Sequence, residues 1–140
     1  MIPQRASLKG TVRSLDPDVR DLLEKRMGEV VENTAKAMGV KAEFEFQRNY
    51  PVTVNAAEQT SLAVDVANSV AGTDKVNPAT PAVMGGEDFA FMLNARPGAF
   101  IFVGNGESAT LHHPEYDFND DAIPYGCSYW VQLVEQSLSA

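Results

Sequence analysis

The sequence predicts an α/β fold, and three patterns support this prediction. Residues 6–13 and 41–48 alternate between apolar and polar side chains, as half-buried strands do. Between them, residues 17–38 carry apolar side chains at helical spacing. Residues 99–104, AFIFVG, form a short apolar run without alternation. Such a run is typical of a strand that is covered on both faces, in a parallel or mixed sheet with helices on each side.

The first half of the chain therefore predicts a strand, a long helix and a second strand. Asp16 is a favourable N-cap residue, Pro17 suits the first helical position, and Gly39 marks the C-terminal stop. Two strands and one helix rarely stand alone, so this unit needs further strands. The helix carries one apolar stripe, formed by Val19, Leu22, Leu23, Val30, Val31 and Met38.

The second half follows a linker, NYPVTVN, and we place the boundary near residues 49–52. Asn55 with Glu58 resembles a capping box at the start of the next helix, which ends at Gly72. After a loop we expect three further elements. They are a short helix from about Glu87 to before Pro97, the apolar strand at 99–104, and a last helix that starts at Asp120 or Asp121.

Composition and charge exclude several classes of protein. A net charge of -8 and a pI near 4.6 argue against nucleic acid and polyanionic membrane surfaces as partners, since phosphate binding needs a basic face. The single cysteine, Cys127, excludes an intrachain disulfide, and we expect it to be a small core residue of the last helix. No apolar stretch approaches the roughly 18 residues of a spanning helix, and no signal region follows Met1, so the expected location is the cytoplasm.

Both histidines of the chain lie in SATLHHPEYDF, directly after the predicted apolar strand. Loops at the carboxyl ends of strands are where α/β sheets bind ligands. His112 and His113 are therefore candidate metal ligands, and Glu115 and Asp117 could orient an imidazole. The alternative stays open, because a lone histidine is more often an ordinary surface or core residue.

A second candidate is MGGEDFA, residues 84–90. Paired glycines before a helix let the backbone approach a ligand and leave free N–H groups there. Glu87 and Asp88 would lie in the first helical turn, although a simple turn explains the pattern equally well. The chain offers no set of three or four histidine, cysteine or carboxylate side chains at the spacing of a zinc site.

Five segments together resemble a known enzyme family. They are GTVRSLDPDVR, NYPVTVN, MGGEDFAFML, PGAFIFVGNG and LHHPEYDFNDDAIPYG, in that order. They are similar to the C-terminal part of the metal-dependent amidohydrolases of the aminoacylase and carboxypeptidase group, in the hippurate-hydrolase-like branch. The resemblance implies that residues 1–50 are the second half of a lid, with strand, helix and strand from a four-stranded α+β sheet. It implies that residues 51–140 are the C-terminal section of an α/β metallopeptidase catalytic domain.

The resemblance also implies an activity. Members hydrolyse the amide bond of N-acyl amino acids or small peptides with two divalent metals, commonly zinc or manganese, and a glutamate shuttles the proton. His112 matches the family's C-terminal metal-ligand histidine, with His113 as the second choice, and Glu87 matches a loop that lines the active-site cleft. The other ligands belong to an N-terminal segment that these 140 residues do not include. We therefore expect an enzyme fragment that is inactive alone and does not bind metal tightly.

Two alternatives to the enzyme fragment remain. The chain could be a non-enzymatic module that forms a homodimer through the lid, because residues 6–13 would leave an unpaired sheet edge. It could also be a small metal sensor, provided that Glu115 and Asp117 join the two histidines.

Overall fold

The computed structural model describes residues 3–138, and their regular secondary structure is helical. None of the helices within that range is long and apolar enough to cross a membrane. The elements in chain order are α1 (Pro17–Ala37), α2 (Ala57–Ala71), a 3-10 turn (Thr73–Lys75), α3 (Phe89–Ala95) and α4 (Ala122–Ser137).

The predicted α/β fold is wrong for residues 3–138, which contain no strand and no sheet. The predicted strands at 6–13, 41–48 and 99–104 have irregular backbone instead. The reason is physical: alternation shows which side chains a strand would bury, but a strand also needs neighbouring backbone that pairs with its N–H and C=O groups. Neither the strand–helix–strand half of a lid sheet nor a catalytic-domain sheet is formed within this range.

The chain divides into two compact units. The first combines Met1–Val52 with Ala82–Asp88, and the second combines Thr53–Pro81 with Phe89–Ala140. The assignment of residues 1–50 to a lid and 51–140 to a catalytic domain stays a prediction.

Helix α1 in the first unit begins and ends where its sequence predicts. Asp16 Oδ1 accepts hydrogen bonds from the N–H groups of Asp18 at 2.7 Å and Val19 at 3.2 Å, so it caps the helix. Gly39, just beyond the last turn, has φ +68°, the left-handed conformation that commonly ends helices. Both helix ends are set by residues close in sequence, so they form without the predicted sheet.

The segment after α1 is tied back to this helix by Arg48. Its guanidinium forms a hydrogen-bonded ion pair with Glu24 and pairs with Asp21 at 2.8 Å. The hydrogen bond with Glu24 raises the pKa of Arg48. Much of the predicted apolar stripe of α1 nevertheless stays exposed, with Leu22 at 56% and Val30 at 57%, because no sheet covers it within the described residues.

The second unit has a small core where α2 packs against α4. Val66 on α2 is fully buried, and Ala63 and Tyr129 lie beside it. Leu62, Ala67, Ala99 and Leu133 complete the packing around these three residues. Burial raises the pKa of the Tyr129 hydroxyl, because its charged form loses hydration.

We expect the second unit to lose stability in alkali through Tyr129. The pKa of Tyr129 is about 10 in the unfolded chain and higher in the folded unit. The free energy of unfolding therefore keeps its full value below pH ~10 and falls as the pH rises towards the folded pKa. The loss is at most about 1.4 kcal/mol per pH unit. Tyr129→Phe should flatten this decline in urea unfolding at a series of pH values. Tyr125→Phe, on the same helix but 45% exposed, is the control. An unchanged alkaline slope in Tyr129→Phe would refute the prediction.

Asn55 does not form the predicted capping box. Helix α2 has Ala56 as its N-cap residue, without a side-chain hydrogen bond. The Asn55 amide instead donates to the Phe100 carbonyl at 2.9 Å and accepts from the Phe100 N–H at 2.8 Å. It therefore pairs with the backbone of the predicted strand as a neighbouring strand would. That segment is not covered on both faces, since Phe102 is 66% exposed.

Candidate functional site

The histidine loop, defined here as residues 105–119, is closed by one half-buried side chain, that of Asn105. Its Nδ2 group donates to Ser108 Oγ at 3.1 Å and to the Asp117 carbonyl at 2.7 Å. Its Oδ1 atom accepts from the Asn119 N–H at 2.8 Å. The two arms of the loop are thus joined at their base.

Two consecutive turns form the tip of the histidine loop. The His113 N–H donates to the Thr110 carbonyl at 3.0 Å, and the Tyr116 N–H donates to the His113 carbonyl at 3.0 Å. His112 is the third residue of the first turn and has φ +67°, a left-handed conformation. It is the one non-glycine residue with positive φ within residues 3–138. Glycine or asparagine is usual at a turn position of this kind, and strained residues of this kind cluster at functional sites.

This strain gives a stability prediction for His112. The left-handed conformation costs an L-residue about 1–2 kcal/mol, so His112→Gly should make the loop more stable by about 1 kcal/mol. His112→Ala keeps a Cβ at this position, so it should give no such gain. Urea unfolding of the three proteins measures the difference. Equal stability of the glycine and alanine variants would count against strain at this position.

The two histidine rings differ in their hydrogen bonding. His113 Nδ1 accepts from the Glu115 N–H at 3.1 Å, so in the neutral ring the proton lies on Nε2. Neither nitrogen of His113 then offers a free lone pair to a metal ion. The His112 ring is exposed and makes no hydrogen bond or ion pair within the described part of the chain. Its geometry suits a ligand better than that of His113.

The segment with the paired glycines belongs to the first compact unit as far as Asp88, whereas the histidine loop belongs to the second. Glu87 is half-buried and lies in irregular backbone, because α3 begins only at Phe89. The predicted helix start at Glu87 is therefore two residues early. Arg13 Nη1 donates to the Met84 carbonyl at 2.6 Å, which fastens this segment within its unit.

Comparison with known proteins identifies the family. Peptidase family M20/M25/M40 matches residues 5–136. The chain belongs to this family. The chain is 36% identical to the protein YhaA of Bacillus subtilis over 128 residues, which are 88% of this chain and 32% of that protein. The search of solved structures found no significant match.

Two further relatives of this M20-family chain have names that state an activity. The hippurate hydrolase of Campylobacter jejuni is 29% identical over 133 residues, which are 95% of this chain and 35% of the enzyme. The N-acetyl-L-cysteine deacetylase of Bacillus subtilis is 32% identical over 123 residues, 88% of this chain and 29% of the enzyme. The predicted family resemblance is confirmed, and the chain spans about a third of the length of these relatives.

The M20-family chain does not fit a complete metal centre by itself. Within residues 3–138 no group of three histidine, cysteine or carboxylate side chains could hold a metal ion. Glu115 and Asp117 thus do not build a site with the histidines, as the metal-sensor hypothesis required. The imidazole of His112 is exposed, and its role as a single metal ligand stays a prediction.

A cleft of about 370 Å³ lies beside the histidine loop in the same unit. Tyr116 and Phe118 from the loop line one part of it, and Ile123, Cys127 and Trp130 from α4 line another. Cys127 is exposed and lines this open cleft, so its prediction as a core residue is wrong.

The sequence patterns predicted both histidines as candidate ligands but did not indicate a role for Asn105. The available signal was the Asn-Gly pair at 105–106, directly after the apolar run. Such a pair indicates a turn. It does not show that the asparagine side chain bonds to residues up to 14 positions further along.

Proposed function

We propose that this chain supplies one segment of a divalent-metal hydrolase that cleaves the amide bond of N-acyl amino acids or small peptides. The observation that carries the proposal is the family match over residues 5–136. The names of the hippurate hydrolase and deacetylase relatives support the choice of an acylated amino acid as substrate.

In this proposal, His112 is a ligand of a centre for two ions, zinc or manganese. The exposed ring, its lack of a hydrogen-bonding partner in the described part of the chain and the strained backbone support its assignment over His113. Bound metal supplies such a hydrolase with a Lewis acid and an activated water. Glu87 is proposed to line the cleft, on the basis of the sequence motif alone. Because one imidazole cannot hold the ion tightly, we expect the isolated chain to be inactive and to bind zinc weakly.

A chimaeric hydrolase tests this proposal. Residues 5–136 of this chain replace the matching section of the Campylobacter jejuni hippurate hydrolase, which supplies the remaining segment. We expect the chimaera to hydrolyse N-acyl amino acids, to lose activity with a chelator and to regain it with zinc or manganese. The 140-residue chain, assayed in parallel, should be inactive. A folded, metal-loaded chimaera without turnover of any N-acyl amino acid would contradict the proposal.

Self-association is the second candidate function, and the exposed apolar side chains of the first unit favour it. Leu8 is 96% exposed, Leu22 56% and Val30 57%, and exposed apolar surface of this kind marks interaction sites. A second copy of the chain is the proposed partner, as in a lid-mediated dimer.

Leu22→Glu should weaken a dimer formed through α1 by about tenfold or more, since a charge would replace a buried apolar contact. Light scattering over a concentration series measures this. Leu138→Glu changes a leucine that is 77% exposed in the other unit and serves as the control. A monomer at every concentration would rule out self-association of this chain.

A further inference from the structure

The polar contacts of Asn105 lie on both sides of His112 in the sequence. Its amide bonds to Ser108 on the first arm of the histidine loop, and to Asp117 and Asn119 on the second. The tip of the loop has little burial to hold it, since residues 111–115 are all exposed, whereas Ala109 and Tyr116 are half-buried. Hydrogen bonds therefore contribute to the loop geometry, and Asn105 makes three of them.

We propose that Asn105 is a positioning residue, which holds the histidine loop in the conformation that presents the His112 ring to a metal ion. This inference rests on the proposed function, in which His112 is the ligand. A left-handed backbone at a histidine persists only when the surrounding structure imposes it. The two turns at the tip are local, so the arms must be joined at the base to keep His112 in place.

The three contacts of residue 105 match the hydrogen-bonding groups of asparagine. The two Nδ2 hydrogens are donated to Ser108 Oγ and to the Asp117 carbonyl, while Oδ1 accepts from the Asn119 N–H. Aspartate would keep the acceptor but lose both donors, and its charge would face the Asp117 carbonyl. Alanine would lose all three bonds. Gly106, with φ +77°, lets the chain turn away directly after Asn105.

A general contribution to stability is the competing explanation, and Asn55 provides a matched control. Its side-chain amide also donates to and accepts from backbone groups, those of Phe100, in the same compact unit. It lies outside the histidine loop. If Asn105 only stabilises the unit, alanine at either position should affect His112 equally.

Nuclear magnetic resonance on the 140-residue chain separates these explanations. We expect Asn105→Ala to raise the amide exchange rates of His113 and Tyr116 by about tenfold or more, while Val66 keeps its protection. The His112 ring signal should move in Asn105→Ala and stay unchanged in Asn55→Ala. Asn105→Asp should preserve protection of the Asn119 amide, which Asn105→Ala should lose. Unchanged His112 and His113 signals in Asn105→Ala, or equal changes in Asn55→Ala, would overturn the inference.

A zinc titration of the same samples adds a measurement that a general loss of stability would not change. In the unmodified chain, zinc should perturb the His112 ring before that of His113, and Asn105→Ala should reduce this preference. Absence of the preference in the unmodified chain would contradict His112 as the ligand, and thus the proposed function. The exchange rates decide the role of Asn105 in loop geometry independently of zinc.

Discussion

We expect His112→Ala to lower kcat/KM of the chimaeric hydrolase by more than about 100-fold. Mutation of a residue that merely orients a metal ligand already costs about 10–100-fold in affinity or activity, and loss of the ligand itself removes more. Steady-state hydrolysis of an N-acyl amino acid at saturating metal, before and after the substitution, measures the effect. Metal content, measured on the same protein, should fall with the rate.

His113→Ala is the matched control for this effect. His113 contributes Nδ1 to a hydrogen bond with the Glu115 N–H, so its loss should loosen the loop without removing the metal ligand. We expect a reduction of less than about tenfold, the lower end of the range for residues near a ligand. Equal losses in the two variants, or a larger loss in His113→Ala, would reverse the assignment.

We expect Val66→Ala to lower the free energy of unfolding of the second unit by about 2 kcal/mol. Val66 is fully buried, so truncation removes apolar burial and leaves a cavity between α2 and α4. The effect is large for this unit because its buried cluster is small. Urea unfolding followed by circular dichroism should show a lower midpoint with an unchanged slope.

Val134→Ala on α4 is the control for the core prediction. Val134 is 54% exposed, so its truncation should change the unfolding free energy by less than about 0.5 kcal/mol. Similar losses at Val66 and Val134 would show that the contact between α2 and α4 does not stabilise the unit.

The helices could be predicted from sequence because their determinants are local. Asp16 and Gly39 lie within a few residues of the groups that they cap, and Asp121 precedes α4 as expected. The strands could not be predicted in this way. Alternation at 41–48 describes the strand alone, whereas strand formation also requires a partner, and residues 3–138 provide none.

The candidate site could be predicted only in part for the same reason. His112 and His113 were predictable as candidate metal ligands because they carry imidazoles, and Glu87 was predictable as a cleft residue from the MGGEDFA segment. These three roles stay predictions. The hydrogen bond from the Glu115 N–H to His113 depends on how the loop closes, and so does the left-handed backbone of His112. Closure depends on Asn105, which bonds to residues far along the chain, so short-range patterns do not reveal it.

A crystal structure of the zinc-loaded chimaeric hydrolase, with anomalous diffraction measured at the zinc edge, tests most directly whether His112 is a metal ligand. We expect zinc about 2.0–2.1 Å from a ring nitrogen of His112, the distance of a zinc–histidine bond. A fully occupied zinc centre without the His112 ring among its ligands would refute this assignment.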